Sequence, residues 1–201
     1  MGISTLFFIE NRDELTMSDL KQAVQALVDG EVIAYPTEGV FGVGCDPDNK
    51  SAIQKLLDIK QRPIEKGLIL IAANYEQLIP YIDESQLSAE QLKEIHSTWP
   101  GPVTWVMPVS KKVTDFVSGQ FDSVAVRVTD HPLVRELCHA FGKPVTSTSA
   151  NLTGQPPCMT TEEVVDQLGE TGVVILDGKT GGRDKPSEIR DARSSKVLRQ
   201  G

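Results

Sequence analysis

Lys60-Gln61-Arg62-Pro63 sets two cations two residues apart. Lysine offers a point charge and arginine a planar fork, a combination that suits a polyphosphate. They reach the same side only if the helix carrying Lys60 unwinds there, and Pro63 favours this by biasing Arg62 out of the α region. Charge compensation at a helix C-terminus is the simpler reading of the same residues. In Ser147-Thr148-Ser149-Ala150-Asn151, alternation puts Ser147, Ser149 and Asn151 on one face of an extended strand end. Three short hydrogen-bonding groups on one face suit a small polar ligand, although Ser and Thr are also ordinary residues of strand-to-turn transitions. Pro36 to Gly44 reads P-T-E-G-V-F-G-V-G. Its glycines allow close approach of backbone to a ligand, yet neither a P-loop nor a dinucleotide fingerprint is present, and alone it reads as a structural glycine turn. Gly181-Gly182-Arg183, Pro186 to Ile189 and Val197 to Gly201 form a fourth group, which by itself could be a solvated terminus.

Charge separates these segments from the rest. The 201 residues carry 20 Lys+Arg and 28 Asp+Glu, a formal −8. From Lys179 onward there are seven basic and three acidic residues (+4), and residues 1–178 hold 13 basic and 25 acidic (−12). The acidic balance argues against a general binder of nucleic acid or anionic membranes. It does not argue against a small polyphosphate held by a few local cations.

Other chemistries find little support. Cys45, Cys138 and Cys158 form no disulfide framework and fit a reducing cytoplasm. Cys45 has no flanking His and reads as a small buried residue. His96, His131 and His139 make no metal-ligand spacing, so no tightly bound metal site is expected. The apolar run Leu6–Ile9 is too short for a signal segment, and no stretch approaches a membrane span. His131 precedes Pro132 at a helix start, where a surface or capping role is expected. No Ser-His-Asp set or carboxylate pair emerges, so any catalysis rests on positioning and electrostatic stabilisation of charged substrates.

The elements that must position these groups alternate along the chain. Thr16 and Ser18 open a helix whose Leu20, Ala23, Val24, Leu27 and Val28 recur at helical spacing, with Gly30 ending it. Val32–Tyr35 is a short buried strand running into the glycine loop. A helix spans Ser51 to about Lys60, and Gly67–Ala73 reads as a central strand covered on both faces. Helical segments follow near Tyr75–Ile82 and Ala89–Ser97, strands at Val103–Val109 and Val124–Thr129, and a helix at Pro132–Phe141. Val145–Thr148 is strand-like, Thr160 to Glu163 has capping-box spacing for a helix to about Leu168, and Val173–Leu176 is a strand. The final residues could add an edge strand. This interleaving, without a linker or repeat, predicts one α/β domain with a mixed sheet over residues 1–201, with the motifs in about 18–201.

Taken in order, P-T-E-x-V-F-G-V-G, K-Q-R-P, S-T-S-A-N-L-T-G, P-S-E-I and L-R-Q-G resemble the YrdC/TsaC family, most closely its short bacterial members. Lys66-Gly67 stands where longer relatives often carry a His, and Glu188 interrupts their usual P-S-T-I. The resemblance implies a YrdC-like twisted sheet with flanking helices around a concave, positively charged cleft. It implies conversion of L-threonine, bicarbonate (or CO2) and ATP, with Mg2+, to L-threonylcarbamoyladenylate and diphosphate. A threonylcarbamoyl-transfer complex of the TsaB/TsaD/TsaE type then modifies the tRNA adenosine beside the anticodon. A weak direct contact with tRNA is open. Carried over position by position, Lys60 and Arg62 match the catalytic cations at the ATP phosphates. Ser123, Ser149, Asn151 and Arg199 match further ATP contacts, and Thr37, Arg127, Ser147 and Ser187 match threonine contacts. The rival readings are a binding module for double-stranded RNA or tRNA and an adenylating module that uses carbamoyl phosphate.

Overall fold

A computed structural model describes residues 17, 19–183 and 186–201. Thr16 and Ser18, expected to open the first helix, and the Leu6–Ile9 run lie outside the described residues. The strands are β1 (Ile33–Pro36), β2 (Phe41–Gly44), β3 (Ile69–Ala72), β4 (Val103–Pro108), β5 (Ser123–Val128), β6 (Val145–Ser149), β7 (Val174–Ile175), β8 (Glu188–Asp191) and β9 (Val197–Arg199). The helices are α1 (residues 19–28), α2 (Lys50–Lys60), α3 (Ala89–Ser97), α4 (Asp115–Ser118), α5 (Pro132–Phe141) and α6 (Thr161–Leu168). The strands form one mixed sheet in the order β7-β1-β2-β6-β3-β5-β4-β8-β9. β1/β7, β3/β5 and β4/β8 run parallel and the other pairs antiparallel. β6 joins the two halves, pairing with β2 through Gly42↔Ser149 and with β3 through Ile69↔Ser147.

Alternation along the strands sorts residues to two faces. Ala34, Leu70, Trp105, Met107, Val126 and Val128 belong to one apolar core, closed by Ile53 and Leu56 of α2, Ile95 of α3, Val117 of α4 and Leu168 of α6. Ile33, Tyr35, Ile71 and Val145 belong to the other, covered by Ala23 and Leu27 of α1 and Val134 and Leu137 of α5. The second pair of helices covers only part of its face. The uncovered remainder holds the alternate residues of β5 and β6 that carry the polar motifs.

Local signals account for the elements that do the positioning. Asn49 caps α2 by accepting from the Ala52 N–H, and Gln61, at φ 45°, ends it in the left-handed conformation. That turn unwinds the chain between Lys60 and Arg62, as the spacing requires. Thr160 and Glu163 form the expected capping box on α6, and Gly142 ends α5. Three expectations change. The Tyr75–Ile82 segment contains only a short 3-10 turn at Ile79–Tyr81. His131 is buried and makes no side-chain cap; its Nε2–H donates to the Lys179 carbonyl at 2.9 Å. The glycine-rich Phe41–Gly44 is a strand and not a loop. Its glycines reflect close packing against β6, since a Cβ on Gly44 would lie 1.7 Å from the Thr146 carbonyl oxygen. Among the described residues no helix is long and apolar enough to cross a membrane.

Candidate active site

The uncovered face floors a cavity of about 880 Å³. Its floor alternates with the first core: Ser123, Ala125 and Arg127 of β5 and Ser147 and Ser149 of β6 face the cavity, whereas Val126 and Val128 face the helices. Its walls come from the β1–β2 turn (Thr37, Glu38), the turn after α2 (Arg62, Lys66) and the C-terminal strands (Ser187, Asp191, Arg199). Eight of the ten residues singled out in the sequence therefore line one cavity. Lys60 and Asn151 stand behind its wall.

One end of the cavity is closed. Arg127 is 5% exposed and Glu38 6% exposed, and Glu38 Oε2 lies 3.2 Å from Arg127 Nη2. The other oxygen of Glu38 accepts from the Thr129 hydroxyl at 2.7 Å. Arg127 Nη1 donates to Thr104 Oγ1 at 3.2 Å. Its Nε has no partner among the described residues although it is buried. Thr37 and Ser147 are also buried here. The Thr37 hydroxyl donates to the Val40 carbonyl at 2.7 Å, which leaves its lone pairs as the group free to face a ligand. Ser147 Oγ would lie 3.2 Å from a Cβ on Gly42, so glycine there leaves the β6 hydroxyl room.

The other end is open. Arg62 donates through Nε and Nη2 to the Gly67 carbonyl, at 3.2 and 2.9 Å, and burial lowers its pKa. Arg199, on β9, stands level with Arg127 across the sheet and donates to the Ser187 carbonyl at 3.1 and 2.7 Å and to Ser187 Oγ at 3.1 Å. Burial, and then the charge of Arg127, lower the Arg199 pKa. Ser187 Oγ accepts from Thr104 Oγ1 at 3.4 Å, so a chain Glu38–Arg127–Thr104–Ser187–Arg199 runs beneath the cavity across the strands.

Lys60 holds the wall from behind. Its Nζ donates to the Ser149 carbonyl at 2.8 Å, to Asn151 Oδ1 at 2.8 Å and to the Asn151 carbonyl. All three ammonium N–H groups are thus engaged. Burial, and then Arg62 nearby, pull its pKa down to about 8. Ser149 Oγ also donates to Asn151 Oδ1 at 2.8 Å, and Thr153 Oγ1 to the Lys60 carbonyl at 2.9 Å. Lys60 therefore ties the end of α2 to the end of β6. Sequence reasoning assigned no role to Glu38, Thr104 or Thr129. Glu38 lay inside a motif already in view, but its partners are set by strand pairing between distant segments.

A family model described as telomere recombination, Sua5/YciO/YrdC, matches residues 25–201. The chain belongs to the Sua5/YciO/YrdC family. Among curated members, a threonylcarbamoyl-AMP synthase of Vibrio campbellii is 74% identical over 185 residues, covering 92% of this chain and 100% of that protein. One from Photobacterium profundum is 69% identical over the same share of this chain and all of its own. Among solved members of the family, P. abyssi Sua5 in a doubly substituted form superposes with a TM-score of 0.84 at 28% identity, over 90% of this chain. P. abyssi Sua5 complexed with L-threonine superposes at 0.80 with 29% identity, over 86%. The chain spans about half the length of these two Sua5 chains, 55% and 50%.

Proposed function

We propose that this protein is a threonylcarbamoyl-AMP synthase, converting L-threonine, bicarbonate and ATP to L-threonylcarbamoyladenylate and diphosphate. The observation that carries the proposal is the pairing, in one cavity, of a buried arginine among hydroxyls with two less buried arginines, Arg62 and Arg199. The first suits a small carboxylate and the second a polyphosphate. The names of the curated relatives and the threonine complex of P. abyssi Sua5 support the same reading.

In this reading Arg127 clamps the threonine carboxylate, with Thr37, Ser147 and Ser187 around the amino acid. Arg62 and Arg199 meet the ATP phosphates, with Ser123 and Ser149 along the nucleotide. Lys60 and Asn151 act through the turn they hold. Bicarbonate takes up a proton and loses water to give CO2. Threonine's neutral amine adds to it and releases a proton to give N-carboxythreonine, and the new carboxylate oxygen attacks the α-phosphorus of ATP. The O–P bond forms as the bond from the α-phosphorus to the bridging oxygen breaks, and diphosphate leaves. The obstacle is an anion approaching a polyanion. Cations lining the cleft lower that repulsion without a side-chain nucleophile. Among the described residues no group of three or more His, Cys, Asp or Glu is placed to hold a metal. The donor set fits Mg2+ arriving on the ATP phosphates, where it would neutralise charge on the leaving diphosphate. In this reading the product passes to a threonylcarbamoyl-transfer complex acting on tRNA, and the protein works in the cytoplasm.

Mass spectrometry after mixing the protein with ATP, Mg2+, threonine and bicarbonate is expected to show threonylcarbamoyladenylate and diphosphate without RNA. Product only with carbamoyl phosphate, or none without RNA, would overturn the proposal.

A further inference from the structure

Glu38 lines the cavity, yet the reaction above gives it no part. Its carboxylate is buried and both of its oxygens are engaged, one by Arg127 Nη2 at 3.2 Å and one by the Thr129 hydroxyl at 2.7 Å. We propose that Glu38 is the positioning residue that aims the Arg127 guanidinium at the substrate carboxylate. The inference rests on the reading of Arg127 as the carboxylate clamp.

An arginine side chain has several rotatable bonds, and ordering it opposes binding unless the fork is already held. Here it is held at two corners, Nη2 by Glu38 and Nη1 by Thr104. Two fixed points and a planar group leave one residual rotation, which the surrounding β-sheet restricts. The N–H bonds not engaged there are then presented to a ligand in a single orientation. A buried guanidinium also needs a counter-charge before substrate arrives, and the Glu38 carboxylate supplies it.

Glu38 is itself fixed from several sides. Thr129 Oγ1, its donor, accepts the His131 N–H at 3.1 Å and so has a set position. The turn that carries Glu38 is closed by the Thr37 N–H donating to the Val40 carbonyl at 3.0 Å. The segment after β7 ties it down from outside: the Gly181 N–H donates to the Thr37 carbonyl at 2.9 Å and the Arg183 N–H to the Glu38 carbonyl at 3.0 Å. A Cβ on Gly181 would lie 2.9 Å from the Glu38 carbonyl oxygen, so the approach requires glycine. A residue whose two carboxylate oxygens are both engaged, held this firmly beside a clamp, does its work through the clamp.

The test is steady-state kinetics on Glu38→Ala, Glu38→Gln, Arg127→Ala and the double variant. Glu38→Ala is expected to raise the KM for threonine roughly tenfold or more, the scale of one misaligned charge-assisted hydrogen bond. The KM for ATP should rise much less, since Arg62 does not touch Glu38 and Arg199 reaches it only through Ser187, Thr104 and Arg127. Glu38→Gln keeps an acceptor for Arg127 and should recover part of the threonine affinity. In an Arg127→Ala background Glu38→Ala should add nothing, because nothing remains to aim. Equal rises in both KM values, or full additivity with Arg127→Ala, would reduce Glu38 to a structural residue and overturn the inference. Should Glu38→Ala fail to fold, the isosteric Glu38→Gln decides on the same KM split. If Arg127→Ala leaves the threonine KM unchanged, the clamp reading falls, and the inference with it. If Arg127→Ala raises it and Glu38→Ala and Glu38→Gln do not, the inference falls alone.

Discussion

The two ends of the cavity hold their arginines in different ways. At the closed end Arg127 is buried, paired with a carboxylate and tied to a hydroxyl before any ligand arrives. At the open end Arg62 rests on a neutral carbonyl oxygen, that of Gly67, as Arg199 on β9 does on that of Ser187. Neutral acceptors hold a guanidinium less tightly than a carboxylate does, and such side chains can re-aim when a stronger anion appears. A small rigid ligand is served by a site built in advance. A long flexible polyphosphate is served by cations that can follow it.

The largest effect expected from this contrast is on turnover. Arg62→Ala should lower adenylate formation by ~10²-fold or more, the scale of losing one charge-stabilising group. Its stability in denaturant titrations should fall by only about 1 kcal/mol, the scale of the hydrogen bonds to Gly67. Arg127→Ala should reverse that weighting in stability. It strands the Glu38 carboxylate in a buried setting, and removing one partner of such a pair costs about 3–5 kcal/mol. Equal destabilisation by the two substitutions would break the distinction between the ends.

The smallest effect concerns pH and the Lys60 tie behind the open end. Its folded pKa of about 8 lies below the ordinary lysine value of 10.5. Between those values the folded chain has released a proton that the unfolded chain still binds. The contribution of Lys60 to stability therefore rises as pH climbs from about 8 to 10.5. Activity should run the opposite way, because the neutral amine has fewer N–H donors for Ser149 and Asn151. Turnover is expected to fall with a midpoint near 8, and Lys60→Arg should move that limb upward. A flat rate profile from about pH 7 to 9, across the cited value, would show that the Lys60 charge does not matter to the open end.

Much of the scaffold was legible locally. The Thr160–Glu163 capping box, Pro132 at the start of α5 and the Gly67–Ala73 apolar run all produce the elements expected of them, because caps and buried runs are decided within a few residues. β2 was not legible. Its Gly42 and Gly44 give no strand signal until β6 is laid beside them, when the need for close approach becomes apparent. The site divides in the same manner. Ser147 and Ser149 follow from alternation on one strand. Asn151 lies past the end of β6, where alternation no longer applies, and it turns toward Lys60. The Glu38–Arg127 pair spans 89 residues and exists only once β3, β5 and β6 are in register.

β6 also has a thermodynamic consequence. It is hydrogen-bonded to β2 on one side and β3 on the other, and it contributes Ser147 and Ser149 to the cavity floor. The remaining cavity groups come from segments on both flanks of that strand, so neither half of the sheet alone carries the complete site. Ligand binding and folding of the whole sheet are then linked in one equilibrium. A ligand that binds only the native state, present at 100 times its Kd, would raise global stability by about 2.7 kcal/mol, and the protein would melt later as one unit.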